Sequence, residues 1–203
     1  MVPTFRLIVA STILLWTTAI VIAAPKIGAP APTFELTDTH GKKHNLEHYK
    51  GKYVILEWLN HGCPFVAKHY KGNMQKLQRY AKSKGIVWFS IVSSAPGKQG
   101  HFPPAKANEI TKQKKAEPLA VLLDPAGTVG KLYGAKTTPH MFLINPKGTL
   151  LYMGAIDSIR STDVDDIAKA KNYVMAALNE AMAGKPVSTP VTRPYGCSVK
   201  YGN

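Results

Sequence analysis

The residues that decide the fold are Tyr53-Val54-Ile55-Leu56-Glu57-Trp58-Leu59-Asn60-His61-Gly62-Cys63-Pro64. The first part of this stretch, residues 53–59, is a nearly continuous apolar run, which is typical of a strand buried on both faces of a sheet. Pro64 is compatible with the first turn of a helix, because the N–H that proline lacks has no intrahelical partner there. The stretch therefore predicts a buried strand, a short turn and a helix, with Cys63 at the start of the helix.

Further strands and helices alternate around this stretch. Apolar or alternating runs predict strands over 33–37, 86–92, 119–123, 140–144 and 149–154. Helices are predicted from Pro64 to Gly85, over 105–116, over 127–133, and from a capping box at Thr162 and Asp165 to Gly184. This order indicates an α/β fold with a mixed central sheet flanked by helices. Residues 185–203 show no periodicity and are predicted to form an extended C-terminal tail.

The N-terminus has the organisation of a secretory signal peptide. Arg6 is the only charge before Pro25, the run from Leu7 to Ile22 is apolar apart from serine and threonine, and cleavage is expected after Ala24. The alternative is an uncleaved membrane anchor, but a run of about 16 residues is shorter than the roughly 20 that a spanning helix needs. The expected division is a signal peptide over 1–24, one domain over 25–184 and a tail over 185–203. Such a protein is exported, periplasmic or secreted, with no stable membrane insertion after cleavage.

Composition and charge narrow the class of protein. Hydrophobic residues make up 45% of the chain, enough for a core, so the two cysteines are not needed as a scaffold. The formal net charge is +14, but the lysines are spread along the chain without an arginine-rich run or a zinc signature. We therefore expect a basic solvated surface rather than nucleic-acid binding. Attraction to anionic membrane surfaces or acidic partners stays open.

Cys63 is the candidate reactive thiol. Unpaired backbone N–H groups and the positive end of the helix dipole stabilise a thiolate at a helix N-terminus. In such places cysteine pKa values fall from about 8.5 to roughly 3.5–7.5, and the thiolate is the species that attacks disulfides and peroxides. We expect protonated His61 to lower the pKa of this thiol further, and Lys68 and His69 to add positive potential. The alternative is a buried and inert cysteine.

Three stretches together resemble the thioredoxin-like superfamily. Residues 54–64 look like its strand and active-site turn, and Thr137-Thr138-Pro139 before a strand looks like its cis-proline loop. The redoxin branch of this superfamily contains the alkyl hydroperoxide reductase/thiol-specific antioxidant proteins. The N-terminal segment of that branch is resembled by Gly28–Phe34, Asp38, Gly41, Leu46 and Gly51-Lys52. The resemblance covers about residues 26–184. It extends to a peroxiredoxin-like subgroup with one active-site cysteine and a Tyr-Gly-Cys tail, and it implies a thioredoxin-like fold.

The resemblance also implies roles for residues at matching positions. Cys63 corresponds to the nucleophile, and Pro139 to the cis-proline, whose loop faces the nucleophile and pairs with the substrate backbone. Glu57 corresponds to a buried acid that shuttles protons, and a carboxyl group in so apolar a strand would have a raised pKa. A surface or strand-end position is the alternative for Glu57. The residues expected to contact substrate are Thr138, Pro139, Pro64, His61 and Asn60.

Three positions depart from the family patterns. Val66 stands where the dithiol motif has its second cysteine, so Cys63 lacks the usual resolving partner. Asn60 stands where the peroxiredoxin pattern has Thr or Ser, and Leu56 where it has Pro. The Asn60 side chain can still offer a hydrogen bond to a peroxide. Arg160 is a candidate for the arginine that activates the thiolate, with a merely solvated side chain as the alternative.

Cys197 is the second cysteine and the candidate resolver. It lies in Pro194-Tyr195-Gly196-Cys197-Ser198, a context flexible enough to reach back to Cys63. A structural disulfide between Cys63 and Cys197, an intermolecular bridge and a lone tail cysteine are the alternatives.

Neither a metal nor another cofactor is expected. His40, His44 and His48 are spaced by four, as on one helix face, but Gly41 and the surrounding turn argue against a helix there. Copper binding by Cys63, His61 and His69 is the alternative, but the pair of cysteines that copper chaperones use in one short motif is absent from the sequence.

These observations predict an exported thiol–disulfide oxidoreductase or peroxiredoxin-like antioxidant protein. Cys63 attacks a protein disulfide or a hydroperoxide, Glu57 or a water handles the proton, Cys197 resolves the intermediate, and a thiol donor supplies electrons. The alternative is a non-catalytic binding module of thioredoxin fold, in which Cys63 and Cys197 form a permanent structural disulfide.

Overall fold

The computed structural model describes residues 25–202, and within them a mixed seven-stranded sheet forms the centre of the molecule. The strands are β1 Glu35–Asp38, β2 Lys43–Asn45, β3 Val54–Trp58, β4 Val87–Val92, β5 Ala120–Leu123, β6 Thr137–Thr138, β7 His140–Ile144, β8 Leu150–Gly154 and β9 Cys197–Ser198. The helices are α1 Pro64–His69, α2 Asn73–Ser83, α3 Pro104–Gln113, α4 Thr128–Leu132 and α5 Tyr173–Met182, with short 3-10 helices at Leu46–Tyr49 and Val164–Ile167. None of these helices of residues 25–202 has the length and apolar character that a membrane span requires. The predicted signal peptide over 1–24 lies outside the described residues.

The strands are ordered β2-β1-β5-β4-β3-β7-β8 across the sheet, and β6 pairs with β9 in a separate two-stranded ladder. β3, β4 and β5 run parallel, whereas the other neighbours are antiparallel. β3 lies between β4 and β7, and all of its residues are buried, as the continuous apolar run predicts. The expected α/β fold with a mixed central sheet is therefore confirmed.

The two faces of β3 belong to two hydrophobic clusters. Ile55 faces a cluster that contains Cys63 and residues of α1, α2 and α5. Leu56 and Trp58 face a second cluster, where the Trp58 ring contacts Phe142 with centroids 5.1 Å apart. Alternate residues of a strand point to opposite faces, so one strand contributes to both halves of the core.

The helix predicted over residues 64–85 is wrong in one respect, because two helices form there. α1 ends at His69 and α2 begins at Asn73. Gly72, between them, has a φ of 126°, a backbone conformation that suits glycine and interrupts the helical path. The Gln75 side chain accepts a hydrogen bond from the Gly72 N–H at 3.0 Å, so α2 starts with its own cap.

The predicted capping box at Thr162 and Asp165 does not begin the last helix, because this segment forms a 3-10 helix instead. α5 begins at Tyr173, and Asn172 is its N-cap. The Tyr173 N–H donates to the Ile156 carbonyl oxygen at 3.0 Å. A contact with residues just beyond β8 therefore fixes where the helix starts.

The C-terminal tail follows an extended path across the domain, and we call its residues 190–202 the strap. Near its beginning, the Met153 N–H of β8 donates to the Pro190 carbonyl oxygen at 3.0 Å. β9 then pairs antiparallel with β6. Beyond β9, the Ala95 N–H donates to the Lys200 carbonyl oxygen at 2.8 Å. The strap is thus held to the domain on both sides of Cys197.

Candidate active site

Cys63 is fully buried at the junction between β3 and α1. It is the N-cap residue of α1, and Pro64 follows in the first turn, as predicted. Asn60 closes the preceding loop: its backbone carbonyl accepts the Cys63 N–H at 3.0 Å, and its side-chain oxygen accepts the Gly62 N–H at 2.8 Å. The Asn60 amide group donates to Gln99 Oε1 at 3.2 Å. Both ends of the Asn60 side chain therefore hold the active-site loop in place.

Hydrogen bonds at the Cys63 sulfur favour its thiolate. Burial by itself raises the pKa of the Cys63 thiol. Hydrogen bonds from the Cys197 side chain, from the backbone N–H groups of Val66 and Cys197, and from the Thr138 side chain act the other way, and the net pKa is lowered. Val66 belongs to the first turn of α1, so the helix N-terminus contributes as the sequence predicts. While the thiol hydrogen is present, the Thr138 carbonyl oxygen accepts it at 3.1 Å.

The neighbouring histidines do not supply the predicted positive charge. Burial, together with the charge of Lys114, lowers the pKa of His61 to about 4. Burial also lowers the pKa of His69 to about 4, against the opposing effect of Asp157. Both imidazoles are therefore neutral at neutral pH, and the predicted electrostatic role of His61 is wrong. The His61 ring instead packs edge-on against Tyr70, with ring centroids 4.8 Å apart.

Glu57 is fully buried in β3, so the alternative of a surface position is excluded. Its carboxylate accepts hydrogen bonds from the Tyr70 hydroxyl at 2.9 Å, the Trp88 indole N–H at 2.9 Å and the Ser90 hydroxyl at 2.8 Å. Burial raises the pKa of Glu57, and these hydrogen bonds offset the effect only in part. Tyr70 also contacts His61, so Tyr70 connects the Glu57 carboxylate to the active-site loop.

The loop before β7 faces the Cys63 sulfur. The peptide bond between Thr138 and Pro139 is cis, which confirms the prediction made from the Thr-Thr-Pro sequence. Thr138 is buried, with its carbonyl oxygen directed at the Cys63 thiol. Pro64 is exposed where α1 begins. Of the residues expected to contact substrate, Thr138 therefore lies directly beside the Cys63 sulfur.

The strap brings Cys197 to Cys63, as predicted. Cys197 lies opposite Thr138 in the β6–β9 ladder. Its backbone N–H donates to Cys63 Sγ at 3.4 Å, and both cysteines are free thiols. Burial, a hydrogen bond with Cys63 and the charge of Cys63 raise the pKa of Cys197 to about 11. The pKa values of the two thiols therefore move apart, and Cys63 ionises first.

Comparison with known proteins places this arrangement in a family. The sequence profile of the AhpC/TSA family matches residues 27–153, which is more than half of the chain. The chain belongs to the AhpC/TSA family. Thiol-disulfide oxidoreductase ResA of Bacillus thuringiensis subsp. konkukian is 29% identical over 126 residues, which cover 62% of this chain and 68% of that protein.

Solved structures share the fold of this AhpC/TSA protein. An uncharacterized conserved protein of Geobacillus kaustophilus has a TM-score of 0.75 at 24% identity, covering 87% of this chain and 93% of the other. A Chlorobium tepidum protein described as thiol:disulfide interchange protein DsbE has a TM-score of 0.55 at 26% identity, covering 76% of this chain and 99% of the other. The fold of the AhpC/TSA protein is thioredoxin-like, and the protein is a thiol-dependent oxidoreductase.

Sequence reasoning missed Asp157 and its contact with the strap of this AhpC/TSA protein. Asp157, in the loop after β8, accepts a hydrogen bond from the Tyr195 hydroxyl. Lys68 and His69 of α1 lie beside the same carboxylate. The only available signal was the place of Tyr195 two residues before Cys197, since nothing in the sequence around Asp157 separates it from a surface carboxylate.

The three histidines that are spaced by four differ in their surroundings. His44 is buried on β2 and bonds to Asp38 Oδ2 at 2.8 Å, whereas His40 and His48 are exposed. In the described part of the chain, no group of three or more His, Cys, Asp or Glu side chains could hold a metal ion. Arg160 is exposed in the loop after β8.

We expect Cys63 to react with iodoacetamide with an apparent pKa below the ordinary cysteine value, and Cys197 with one above it. Hydrogen bonds lower the Cys63 pKa, whereas burial and the Cys63 charge raise that of Cys197. Rates of modification as a function of pH, read for each cysteine by peptide mass spectrometry, measure both values. The urea-unfolded protein is the control, in which the two thiols should titrate alike. Matching profiles in the folded protein would contradict the expectation.

We expect Glu57→Gln to become relatively more stable than the wild type as the pH rises. Burial raises the folded pKa of Glu57 above its reference value of 4.5, so between these two values the folded state holds more protons than the unfolded state. The free energy of unfolding of the wild type therefore falls as the pH rises through this window, and glutamine removes that loss. Urea denaturation of both proteins across this window measures the difference. Parallel pH profiles would show that Glu57 is not the group responsible.

Proposed function

We propose that this chain is an exported thiol–disulfide oxidoreductase in which Cys63 is the nucleophile and Cys197 is the resolving cysteine. The observation that carries the proposal is the 3.4 Å contact between the Cys197 N–H and Cys63 Sγ. Val66 of α1 occupies the position where a dithiol motif has its second cysteine. The strap thus supplies the partner that the helix lacks.

In the first step, the Cys63 thiolate attacks one sulfur of a substrate disulfide. A bond forms between Cys63 Sγ and that sulfur, the substrate S–S bond breaks, and the other substrate sulfur leaves as a thiolate that takes up a proton. The N–H groups of Val66 and Cys197 stabilise the attacking thiolate. Thr138 borders the site at which the substrate sulfur must approach.

In the second step, Cys197 resolves the mixed disulfide. The charge of Cys63, which helps to raise the Cys197 pKa, is consumed when the mixed disulfide forms, so Cys197 ionises more readily. Its proton passes to water or to Glu57, and its thiolate attacks Cys63 Sγ. The mixed disulfide breaks, the second substrate thiolate leaves, and a Cys63–Cys197 disulfide forms. An external thiol donor then returns both cysteines to thiols.

A hydroperoxide is the second candidate substrate. Cys63 is completely buried, and a small molecule can reach a buried sulfur more easily than a protein disulfide can. Cys63 would attack the peroxide, the O–O bond would break with loss of water or an alcohol, and Cys197 would displace water from the resulting sulfenic acid. The Asn60 amide, expected to bond a peroxide, is directed to Gln99 instead. Disulfide exchange is therefore the first choice.

Cys197→Ser should stop the reaction at the mixed disulfide. With a model disulfide, we expect the wild type to end with a Cys63–Cys197 bond and the variant to keep half of the substrate on Cys63, as read by peptide mapping. Turnover with a thiol donor should fall about tenfold or more, because an external thiol replaces a resolver held at high effective concentration. A reduction potential for the pair below about −300 mV would instead support the permanent disulfide of a non-catalytic binding module.

Two further variants sharpen this test. Gly196→Ala keeps both thiols, but a Cβ at Gly196 would overlap the Thr138 carbonyl oxygen, so β9 should leave its place and disulfide formation should slow. Ser198→Ala changes an exposed neighbour of Cys197 and is the matched control, with unchanged rates expected. Unchanged turnover in Cys197→Ser would exclude Cys197 as the resolver.

The proposed export is tested on the protein that the cell produces. The mature form should begin at Pro25, because the basic start, the apolar run and the two alanines of residues 1–24 form a signal peptide. Intact mass and N-terminal sequencing of the extracytoplasmic fraction measure this. Leu14→Arg, which interrupts the apolar run, should leave the full-length chain inside the cell. Recovery of the uncleaved wild type from the membrane would support the anchor instead.

A further inference from the structure

The strap shows how an extended polypeptide fits against Cys63. β9 runs antiparallel to β6, with Cys197 opposite Thr138 and Ser198 opposite Thr137. Backbone groups make such a ladder, so an extended segment of another protein that carries a cysteine can form it too. The side chains next to that cysteine then decide which segment fits.

Tyr195 is the large side chain two residues before Cys197, and it fills a buried site beside α1. It is only 6% exposed. Its ring packs edge-on against Phe65, with centroids 5.8 Å apart. Its hydroxyl donates to Asp157 Oδ1 and lies 3.4 Å from His69 Nε2. This site therefore suits an aromatic ring that carries a hydroxyl at its tip, because Phe65 contacts the ring and Asp157 accepts from the hydroxyl.

Asp157 lies at the buried end of this site, and its carboxylate needs hydrogen-bond donors. The residue is 3% exposed, and its Oδ2 has no hydrogen-bond partner among residues 25–202. Lys68 Nζ and His69 Nε2 lie 3.9 and 3.7 Å from Oδ2, too far for strong hydrogen bonds. Burying a carboxylate is costly unless hydrogen-bond donors compensate it. The Tyr195 hydroxyl is such a donor, and a phenylalanine would not be.

Gly196, between Tyr195 and Cys197, passes directly over the Thr138 carbonyl. Its φ is 131°, and a Cβ there would overlap the Thr138 carbonyl oxygen. The residue before the cysteine must therefore be glycine for the ladder to form without displacement of β6.

We propose that the surface of β6, Phe65 and Asp157 that residues 195–197 of the strap cover, which we call the groove, is a specificity site for an extended peptide in which a tyrosine stands two residues, and a glycine one residue, before the reactive cysteine. This inference rests on the proposed function and adds a substrate class to it. The strap is the resident occupant of the groove, and an incoming polypeptide with the same pattern displaces it. The backbone N–H of the incoming cysteine then takes the place of the Cys197 N–H, and the strap returns to resolve the mixed disulfide. A small disulfide makes neither the tyrosine contact nor the glycine contact.

The test uses the full-length chain with Gly196→Ala and Cys197→Ser, in which the strap is displaced and cannot resolve. The probe is the peptide acetyl-Pro-Tyr-Gly-Cys-Ser-Val-amide, joined through its cysteine to 5-thio-2-nitrobenzoate. The Cys63 thiolate attacks the peptide sulfur, the S–S bond of the probe breaks, and coloured thionitrobenzoate leaves as the signal. We expect this peptide to react about tenfold or more faster than the same peptide with Phe for Tyr, because a hydrogen bond to a charged group is lost. The peptide with Ala for Gly should also react more slowly.

Asp157→Asn in the same background separates recognition from stability. If Asp157 recognises the tyrosine hydroxyl, the ratio of the Tyr-peptide rate to the Phe-peptide rate falls several-fold. If Asp157 only supports the fold, both rates fall together and the ratio is kept, which overturns its role in specificity. Such a cycle between two changes isolates the contact between them.

The experiment also distinguishes failure of the specificity site from failure of the proposed function. Equal rates for the three peptides, while the free disulfide of thionitrobenzoate still reacts with Cys63, would overturn the specificity site and leave the proposed function standing. No reaction of Cys63 with either reagent would overturn the proposed function itself. Should the double variant fail to fold, Cys197→Ser alone gives the same rate ratios, because the strap competes equally with every peptide.

Discussion

The backbone contacts at the Cys63 sulfur depend on three segments that are far apart in the sequence. The first turn of α1 supplies one N–H, the loop before β7 supplies Thr138, and the strap supplies Cys197. The sulfur has lost its contact with water, so these groups replace hydration. Their donors outweigh the cost of burial, which is why a fully buried thiol keeps a lowered pKa. The same proximity raises the pKa of Cys197, so one arrangement of atoms distinguishes the proposed nucleophile from the proposed resolver.

The buried carboxylates of Glu57 and Asp157 obtain hydrogen-bond donors from different parts of the protein. Glu57 receives donors from Tyr70, Trp88 and Ser90, all fixed in or beside the sheet and its helices. Asp157 receives its side-chain hydroxyl donor from the strap, which lies outside the sheet. The first carboxylate therefore receives its donors from the core alone, whereas the second loses its tyrosine donor whenever the strap leaves its place. The core and the strap are thus linked through Asp157 as well as through the thiols.

The order of elements could be predicted from the sequence because local patterns determine it. The continuous apolar run of β3 and the Cys-Pro step placed Cys63 correctly at a helix N-terminus, and the Thr-Thr-Pro sequence indicated the cis bond before Pro139. The break between α1 and α2 was missed because Gly72 lies within a stripe of apolar residues that keeps helical spacing across it. The charge assigned to His61 was wrong because burial, a tertiary property, decides whether an imidazole is protonated. Asp157 carried no local signal at all.

The position of Cys197, the proposed resolver, on the strap has a consequence for how such a protein can diversify. A second cysteine inside α1 would be constrained by the packing of that helix against the sheet, so its spacing and surroundings could not change independently of the core. Here the second cysteine belongs to the strap, which contacts the domain along its surface. Substitutions in that segment can alter resolver chemistry, or remove it, while leaving β3, α1 and their packing intact. The architecture therefore places the proposed nucleophile and its proposed partner on segments that can change independently, and substitutions confined to the strap can convert between one-cysteine and two-cysteine chemistry.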